Sequence, residues 1–494
     1  MKNFKIYFTS DTHGAIFPSS MGGMMQCIEQ FQKDGNTLIL DGGDTIQGSP
    51  LSNYLWEHDQ IVKVIPEVFN YGAYDYYIPG NHDFNYGYEG LSKFVNTMKA
   101  TCLAANVVDE TNQLPMKPYV IHTLENGLRI GIAGIVTDCV NLWESKENLV
   151  NLQVNDSFAA AKSAYESMKE ECDFNICIYH GGYECDLITG ETLCEGNENI
   201  AYRICKELGY DLLLTAHQHM RTEGLDLFGT YTLQVPPNAS NYAKVCVEMT
   251  EEGFAISSQL LAPEQTYSEE LMQSLSVIKK EVDAWLAVPI GSLKTPIEAV
   301  GLLERAMNGS KLADLSNIVE LSETGADIAC TGLSNNVLGL DAIVTLNDVL
   351  KGFPFANEIV VMEMRGEILK LALERCASYF ERVDGAVAIS ERFTKPKEEH
   401  YNYDFYAGVD YTIDLSQPVG SRVSNVLVNG EALSNRKYRV AMSNYRSTGT
   451  GGYEFFRGCE IVNVAKRDIQ QAIVAYLKEN PELDLPQLGK ITIK

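Results

Sequence analysis

The stretch FKIYFTSDTHG, residues 4–14, decides the fold: an apolar and aromatic run from Ile6 to Phe8 ends in a polar turn that carries Asp11 and His13. The same phrase returns at LILDGGDT (38–45), YYIPGNHDFN (76–85), FNICIYHGG (174–182) and LLLTAHQH (212–219), and an apolar run without the polar residues spans Ile130 to Val136. Runs this short and continuous suit central strands covered on both faces. The segments between them, such as Met24 to Lys33 and Ser157 to Lys169, carry helical periodicity, so strands alternate with helices as in α/β folds. The polar residues therefore sit where strands end, the place at which open α/β sheets put their ligands.

Length and composition bound what else the chain can be. At about 150 residues per domain, 494 residues suggest two or three domains, and 45% hydrophobic with 21% charged residues allows each a real core. A formal charge of −27 argues against a nucleic acid polymer as partner, because phosphate backbones recruit clustered Lys and Arg. A small anionic ligand stays compatible if metal ions supply positive charge locally. A candidate ligand already at Asp11 leaves no room for a secretory signal, and no apolar stretch reaches membrane-spanning length. Twelve irregularly spaced cysteines, several inside apolar runs and none as Cys-x-x-Cys, read as reduced thiols. The expectation is a cytoplasmic protein without a membrane partner; oligomeric state is not legible.

Five of eight histidines fall in the repeated phrases; His58, His122 and His400 fall outside and read as structural or surface residues. Metal ions that hydrolyse phosphate esters in pairs take carboxylate, imidazole and amide ligands, one of them bridging the two ions. Asp11 and His13, two apart in an extended turn, can reach one ion. Asp44, preceded by Gly42 and Gly43, sits where backbone passes close to the site and suits the bridge. Asn81, His180, His217 and His219 complete two shells. Each piece alone is also an ordinary turn or a hydrogen-bonded structural histidine; the weight lies in the order of all five.

These residues resemble the calcineurin-like binuclear metallophosphoesterases, whose pattern is Asp-x-His, Gly-Asp, Gly-Asn-His-Asp/Glu, His and Gly-His-x-His. The resemblance covers the first 250 or so residues and departs at Ala216, where the family usually has Gly. It implies that Asp11, His13, Asp44 and His219 bind one divalent ion, that Asp44, Asn81, His180 and His217 bind the other, and that His82 is catalytic. The ions would activate a water while His82 serves the leaving oxygen, with Asp83 orienting the imidazole as the third member of a triad does. The ion identities, Mn, Zn, Fe or similar, are not readable.

The fold expected is an N-terminal two-sheet α/β metallophosphoesterase domain over 1–262, a connecting helix or linker over 263–289, and a C-terminal α+β substrate-binding domain over 290–494. Within the linker, Glu269 to Leu286 has helical spacing, which an ordinary core helix of the first domain would show as well. Segments Ala326 to Ala329, Glu363 to Gly366, Asp410 to Asp414 and Ser443 to Arg446 extend the resemblance to the 5'-nucleotidase and 2',3'-cyclic-nucleotide 2'-phosphodiesterase/3'-nucleotidase group, implying a small nucleotide substrate. Three departures from the 5'-nucleotidase pattern favour the cyclic and 3' branch: Asn85 in place of an Asp, no arginine from Thr331 to Leu340, and Gly449-Thr450-Gly451-Gly452-Tyr453 without an Asp. A 5'-nucleotidase or UDP-sugar hydrolase is the alternative, and a catalytically silent nucleotide or metal sensor a further one. By position Tyr403 and Tyr445 match the family's aromatic base clamp, with Tyr401 or Phe405 as other candidates for the first ring, while Gly449 and Gly451 let backbone approach the ligand.

Overall fold

The computed structural model describes residues 2–193, 196–395 and 397–494, which divide into two compact units, Met1–Val282 and Asp283–Lys494. In the first unit two six-stranded sheets face each other. One runs Gly253–Leu261, Tyr242–Thr250, Asn3–Thr9, Thr37–Asp41, Tyr76–Tyr77, Thr101–Cys102; the other runs Thr222–Leu227, Thr230–Gln234, Leu212–Thr215, Phe174–His180, Arg129–Val136, Tyr119–Thr123. The strands that carry the repeated phrase are parallel; antiparallel strands close three of the four edges, and the parallel strand Thr101–Cys102 closes the fourth.

Period-two alternation explains why these strands are apolar throughout. Phe4, Ile6, Phe8, Leu38 and Leu40 meet Ile130, Ile132, Phe174, Ile176, Ile178, Leu212 and Leu214 in one core between the sheets. The residues in between, Ala133, Ile135, Cys177, Tyr179 and Leu213, pack outward against Ala161, Ala164 and Met168 of the helix Ser157–Met168. Parallel register then aligns the strand ends. Thr9 pairs with Asp41 and Asp41 with Tyr77, while Tyr179 pairs with both Ile135 and Thr215, so the polar turns leave each sheet from one edge.

Two helices differ from the pattern. The helix expected over Met24 to Lys33 stops at Glu29. The stretch Glu269 to Leu286 is two helices, Glu269–Ser274 and Ser276–Leu286, interrupted at Leu275. In the second unit Asn429-Gly430, both at positive φ, turns Val423–Val428 into the short strand Glu431–Ala432, whereas Lys437–Ser443 joins a different, five-stranded sheet. That sheet runs Asp404–Ala407, Ile328–Gly332, Lys437–Ser443, Glu358–Arg365, Glu460–Asp468 and packs against the helix Lys311–Thr324.

Glu320 of that helix is 3% exposed. Its Oε1 accepts hydrogen bonds from Thr331 Oγ1 at 2.7 Å and Ser316 Oγ at 3.3 Å, and its Oε2 has no partner. Burial pushes this carboxyl up to about 8. An acid whose folded pKa is raised contributes stability that is complete below its unfolded pKa and is lost as pH rises through about 8. Glu320→Gln is expected to raise the melting midpoint relative to wild type more at pH 8.5 than at pH 5.5, by at least about 2 °C. An equal shift at both values would show that Glu320 ionises without cost.

Candidate active site

The site is assembled by one carboxylate. Asp83 lies in the 3-10 turn Asn81–Phe84, is fully buried, and accepts four backbone N–H groups: Asp44 at 2.9 Å and Gly80 at 2.8 Å on Oδ2, Thr45 at 2.8 Å and Ile46 at 2.9 Å on Oδ1. It ties the turn after Thr37–Asp41 to the turn after Tyr76–Tyr77. Gly43, at φ 89°, lies against the backbone of Gly80, where a side chain has no space. Burial, then the charge of Asp44, push the Asp83 carboxyl up to about 6 against the pull of these donors.

Asp11, His13, Asp44, His217 and His219 all hold left-handed backbone, with φ of 51°, 47°, 55°, 70° and 59°. The turn at Asp11 and His13 is therefore tightly wound, not extended. Such conformations cost of order 1–3 kcal/mol each and persist where neighbours over-determine them. Here Asp11 N–H donates to the Gly43 carbonyl and His13 N–H to the Asp44 carbonyl, both at 2.8 Å, and His217 N–H reaches Asp11 Oδ1 at 3.0 Å.

The side chains converge in two groups, Asp11 with His13 and His219, and Asp44 with His180 and His217. His13 Nδ1 lies 2.9 Å from the Gln47 carbonyl and His180 Nδ1 2.7 Å from the Gly42 carbonyl. A carbonyl only accepts, so each ring carries a proton on Nδ1 and turns an Nε2 lone pair inward. His13 Nε2 stands 3.0 Å from His219 Nε2, which is 3.5 Å from Asp11 Oδ1. His180 Nε2 is 3.2 Å from Asp44 Oδ2 and 3.1 Å from Asn81 Oδ1, and that oxygen is 2.9 Å from His217 Nδ1. Asp44 Oδ2 also lies 3.9 Å from His13 Nε2 and so reaches both groups. Burial opposes charge on Asp44, yet His180 and His82 hold its carboxyl well below the usual range. Oxygen and imidazole donors of this kind, all buried except His219, fit two divalent cations.

His82 stands beside these groups, half-buried, with its N–H on Asp44 Oδ1 at 2.7 Å. Asp83 does not orient its ring, because both Asp83 oxygens are engaged by the four N–H groups. Asn85 does: its Oδ1 is 2.8 Å from His82 Nδ1, and its Nδ2 donates to Glu144 Oε2 at 2.6 Å. The reason is the turn itself, since side chains three apart eclipse in a 3-10 helix. Sequence reasoning missed Glu144, Trp143, whose ring stacks on His217 at 5.5 Å and 14°, and Glu198, 3.1 Å from His217 Nε2. His58, His122 and His400 bond to the Tyr54 carbonyl, the Tyr76 hydroxyl and the Tyr379 hydroxyl and lie outside both donor groups.

In the second unit Tyr403 is not a clamp ring. It is 1% exposed, donates its hydroxyl to the Ala306 carbonyl at 2.9 Å and packs among Tyr379, Phe380 and Phe405. Tyr401, half-buried, faces Tyr445 instead, with centroids 6.5 Å apart and planes at 68°. The glycines also answer to the chain. A side chain at Gly451 would strike Asn402, and Gly449 is buried against Tyr453 and Glu454. Asp404 and Arg446 form a buried ion pair at 3.0 Å, and Arg446 further donates to the carbonyls of Tyr401 and Thr450.

Comparison with known proteins agrees with this geometry. Residues 4–221 match the calcineurin-like phosphoesterase family and 289–458 the 5'-nucleotidase C-terminal domain. A Staphylococcus aureus protein provisionally named 5'-nucleotidase, solved with alpha-ketoglutarate, is 28% identical with a TM-score of 0.90 over 100% of both chains. A Bacillus subtilis trifunctional nucleotide phosphoesterase is 23% identical over 92% of this chain, which spans only 36% of that relative. A Salmonella typhimurium 2',3'-cyclic-nucleotide 2'-phosphodiesterase/3'-nucleotidase is 24% identical over 84% of this chain and 74% of its own. Calcineurin-like phosphoesterases bind two divalent metals, and the two donor groups supply the ligands for them.

Asp83 and Asn85 are separable by substitution. Asp83→Ala leaves four backbone N–H groups without an acceptor, at about 1–3 kcal/mol for each that stays buried, so both melting temperature and metal content are expected to fall. Asn85→Ala is expected to keep both and to lower turnover roughly 10-fold or more. Full turnover in Asn85→Ala would remove Asn85 from the positioning of His82.

Proposed function

We propose a substrate for a chain that belongs to the calcineurin-like phosphoesterases through residues 4–221 and to the 5'-nucleotidases through residues 289–458. Chains of this family are metal-dependent hydrolases of nucleotide phosphoesters. This one opens a 2',3'-cyclic nucleotide and then removes the remaining 3'-phosphate. The observation that carries the choice is Asn85, standing on His82 Nδ1 at 2.8 Å where the 5'-nucleotidase pattern has an aspartate. The loop from Thr331 to Leu340 lacks an arginine, and Arg305, which reaches it, is engaged by the carbonyls of Ser334 and Asn336. The name of the Salmonella relative supports the same branch. A 5'-nucleotidase is the second reading, favoured by the Staphylococcus aureus structure.

Asp11, His13 and His219 would hold one ion and Asn81, His180 and His217 the other, with Asp44 within reach of both. When bound, the ions activate a water and neutralise the phosphoryl oxygens. The chain does the rest. Asn85 Oδ1 accepts the Nδ1 proton of His82, which leaves Nε2 as the ring nitrogen that meets the leaving oxygen. Asp83 holds the two turns and takes no part in proton transfer. The nucleoside base is held on the face of Tyr445, which accepts any base, with Tyr401 edge-on beside it.

Product analysis with added Mn²⁺ tests the choice. The expected course on 2',3'-cyclic AMP is transient 3'-AMP followed by adenosine, both steps faster than release of phosphate from 5'-AMP or cleavage of a UDP-sugar. Faster hydrolysis of 5'-AMP would transfer the chain to the second reading. His82→Ala is expected to cut turnover about 10²- to 10⁴-fold with metal content intact; loss of metal would make His82 a ligand. Tyr445→Ala is expected to raise KM for nucleotides about 10-fold or more and leave that for a small aryl phosphate unchanged. Equal effects on both would remove the clamp.

A further inference from the structure

Glu198 lies at the end of the loop that follows His180, and neither the ligand pattern nor the proton chemistry above uses it. Its Oε1 is 3.1 Å from His217 Nε2. A carboxylate accepts, so His217 carries its proton on Nε2 and presents an Nδ1 lone pair to Asn81 Oδ1 at 2.9 Å. That same oxygen stands 3.1 Å from His180 Nε2, whose own proton is fixed on Nδ1 by the Gly42 carbonyl. Three acceptors facing one point at such distances repel one another unless a proton or a metal cation lies among them, and a metal cation satisfies all three together.

The position of Glu198 is built into the fold. Its backbone carbonyl accepts from Thr137 Oγ1 at 3.0 Å and from the Tyr179 hydroxyl at 3.1 Å. Thr137 follows the strand Arg129–Val136 and Tyr179 precedes His180 on its own strand, so the loop is anchored to the strand that carries a neighbouring ligand. Asn199 Oδ1 accepts the Gly182 N–H at 2.8 Å and secures the other side of the loop. Trp143 lies parallel to the His217 ring at 5.5 Å and fixes its plane, and Glu198 fixes which nitrogen points inward.

We propose that Glu198 is the outer carboxylate of the ion held by Asn81, His180 and His217: a positioning residue that selects the His217 tautomer and tightens that ion over the other. The inference rests on the ligand assignment made above. Histidine ligands that lose such an outer partner typically lose roughly 10- to 100-fold in metal affinity.

The test is Mn²⁺ binding to the full chain by calorimetry and chelator competition, with bound metal counted by mass spectrometry. The expected result is that Glu198→Ala weakens one of the two Mn²⁺ sites by about 10- to 100-fold and leaves the other unchanged. Glu198→Gln, which keeps an acceptor without the charge, falls between, and both variants melt with the wild type in excess EDTA. Two wild-type affinities in Glu198→Ala would overturn the proposal, as would equal weakening of both sites with a lowered melting point in EDTA. A wild-type chain that loads fewer than two ions would overturn the ligand assignment and this proposal with it.

Discussion

Everything at the site depends on the four N–H groups gathered by the Asp83 carboxylate. Two turns that leave neighbouring strands have no periodic structure of their own to fix their spacing. A buried acid that accepts from Asp44, Thr45, Ile46 and Gly80 supplies it, and in doing so places Asp44, Asn81 and His82 within one hydrogen-bond network. Charge-assisted bonds of this kind are roughly twice as strong as neutral ones and lose most when one partner is removed. The residue next to His82 is therefore the keystone of the donor cage, while Asn85 and Glu144 direct the His82 ring.

The sandwich provides what the cage stands on. Both sheets end their parallel strands in register, so five turns meet at one edge, and ligands are drawn from residues as far apart as Asp11 and His219. The left-handed backbone at five of the seven candidate ligand positions is strain that the turns already hold. Carbonyls of Gln47 and Gly42 set the tautomers of His13 and His180 in the same way. Preorganisation at each of these positions lowers what binding an ion must reorganise.

Much of this was legible in the sequence because strand ends carry their ligands at short, fixed offsets. The six apolar runs correspond to strands, and the family resemblance carried by those turns groups Asp11, His13 and His219 apart from His180 and His217, as the structure does. What escaped depends on side-chain direction or on chain closure. In a 3-10 turn the partner of His82 lies three residues on, at Asn85, and a triad analogy that placed it at Asp83 ignored that period. Tyr401 lies within the 3-10 turn His400–Asn402 and Tyr403 ends it, and only packing against Ala306, Tyr379 and Phe380 shows that Tyr403 belongs to the core. Glu144 and Glu198 lie in loops without periodicity and reach the site through tertiary packing alone.

The central claim is that Asp44 bridges two ions, each held by its own donor group. Anomalous diffraction from crystals grown with Mn²⁺, recorded on both sides of the metal edge, tests it most directly. The account predicts two peaks about 3.5–4 Å apart, one against Asp11, His13 and His219, the other against Asn81, His180 and His217, with Asp44 touching both. A single peak, or a pair that leaves Asp44 to one side, would contradict it.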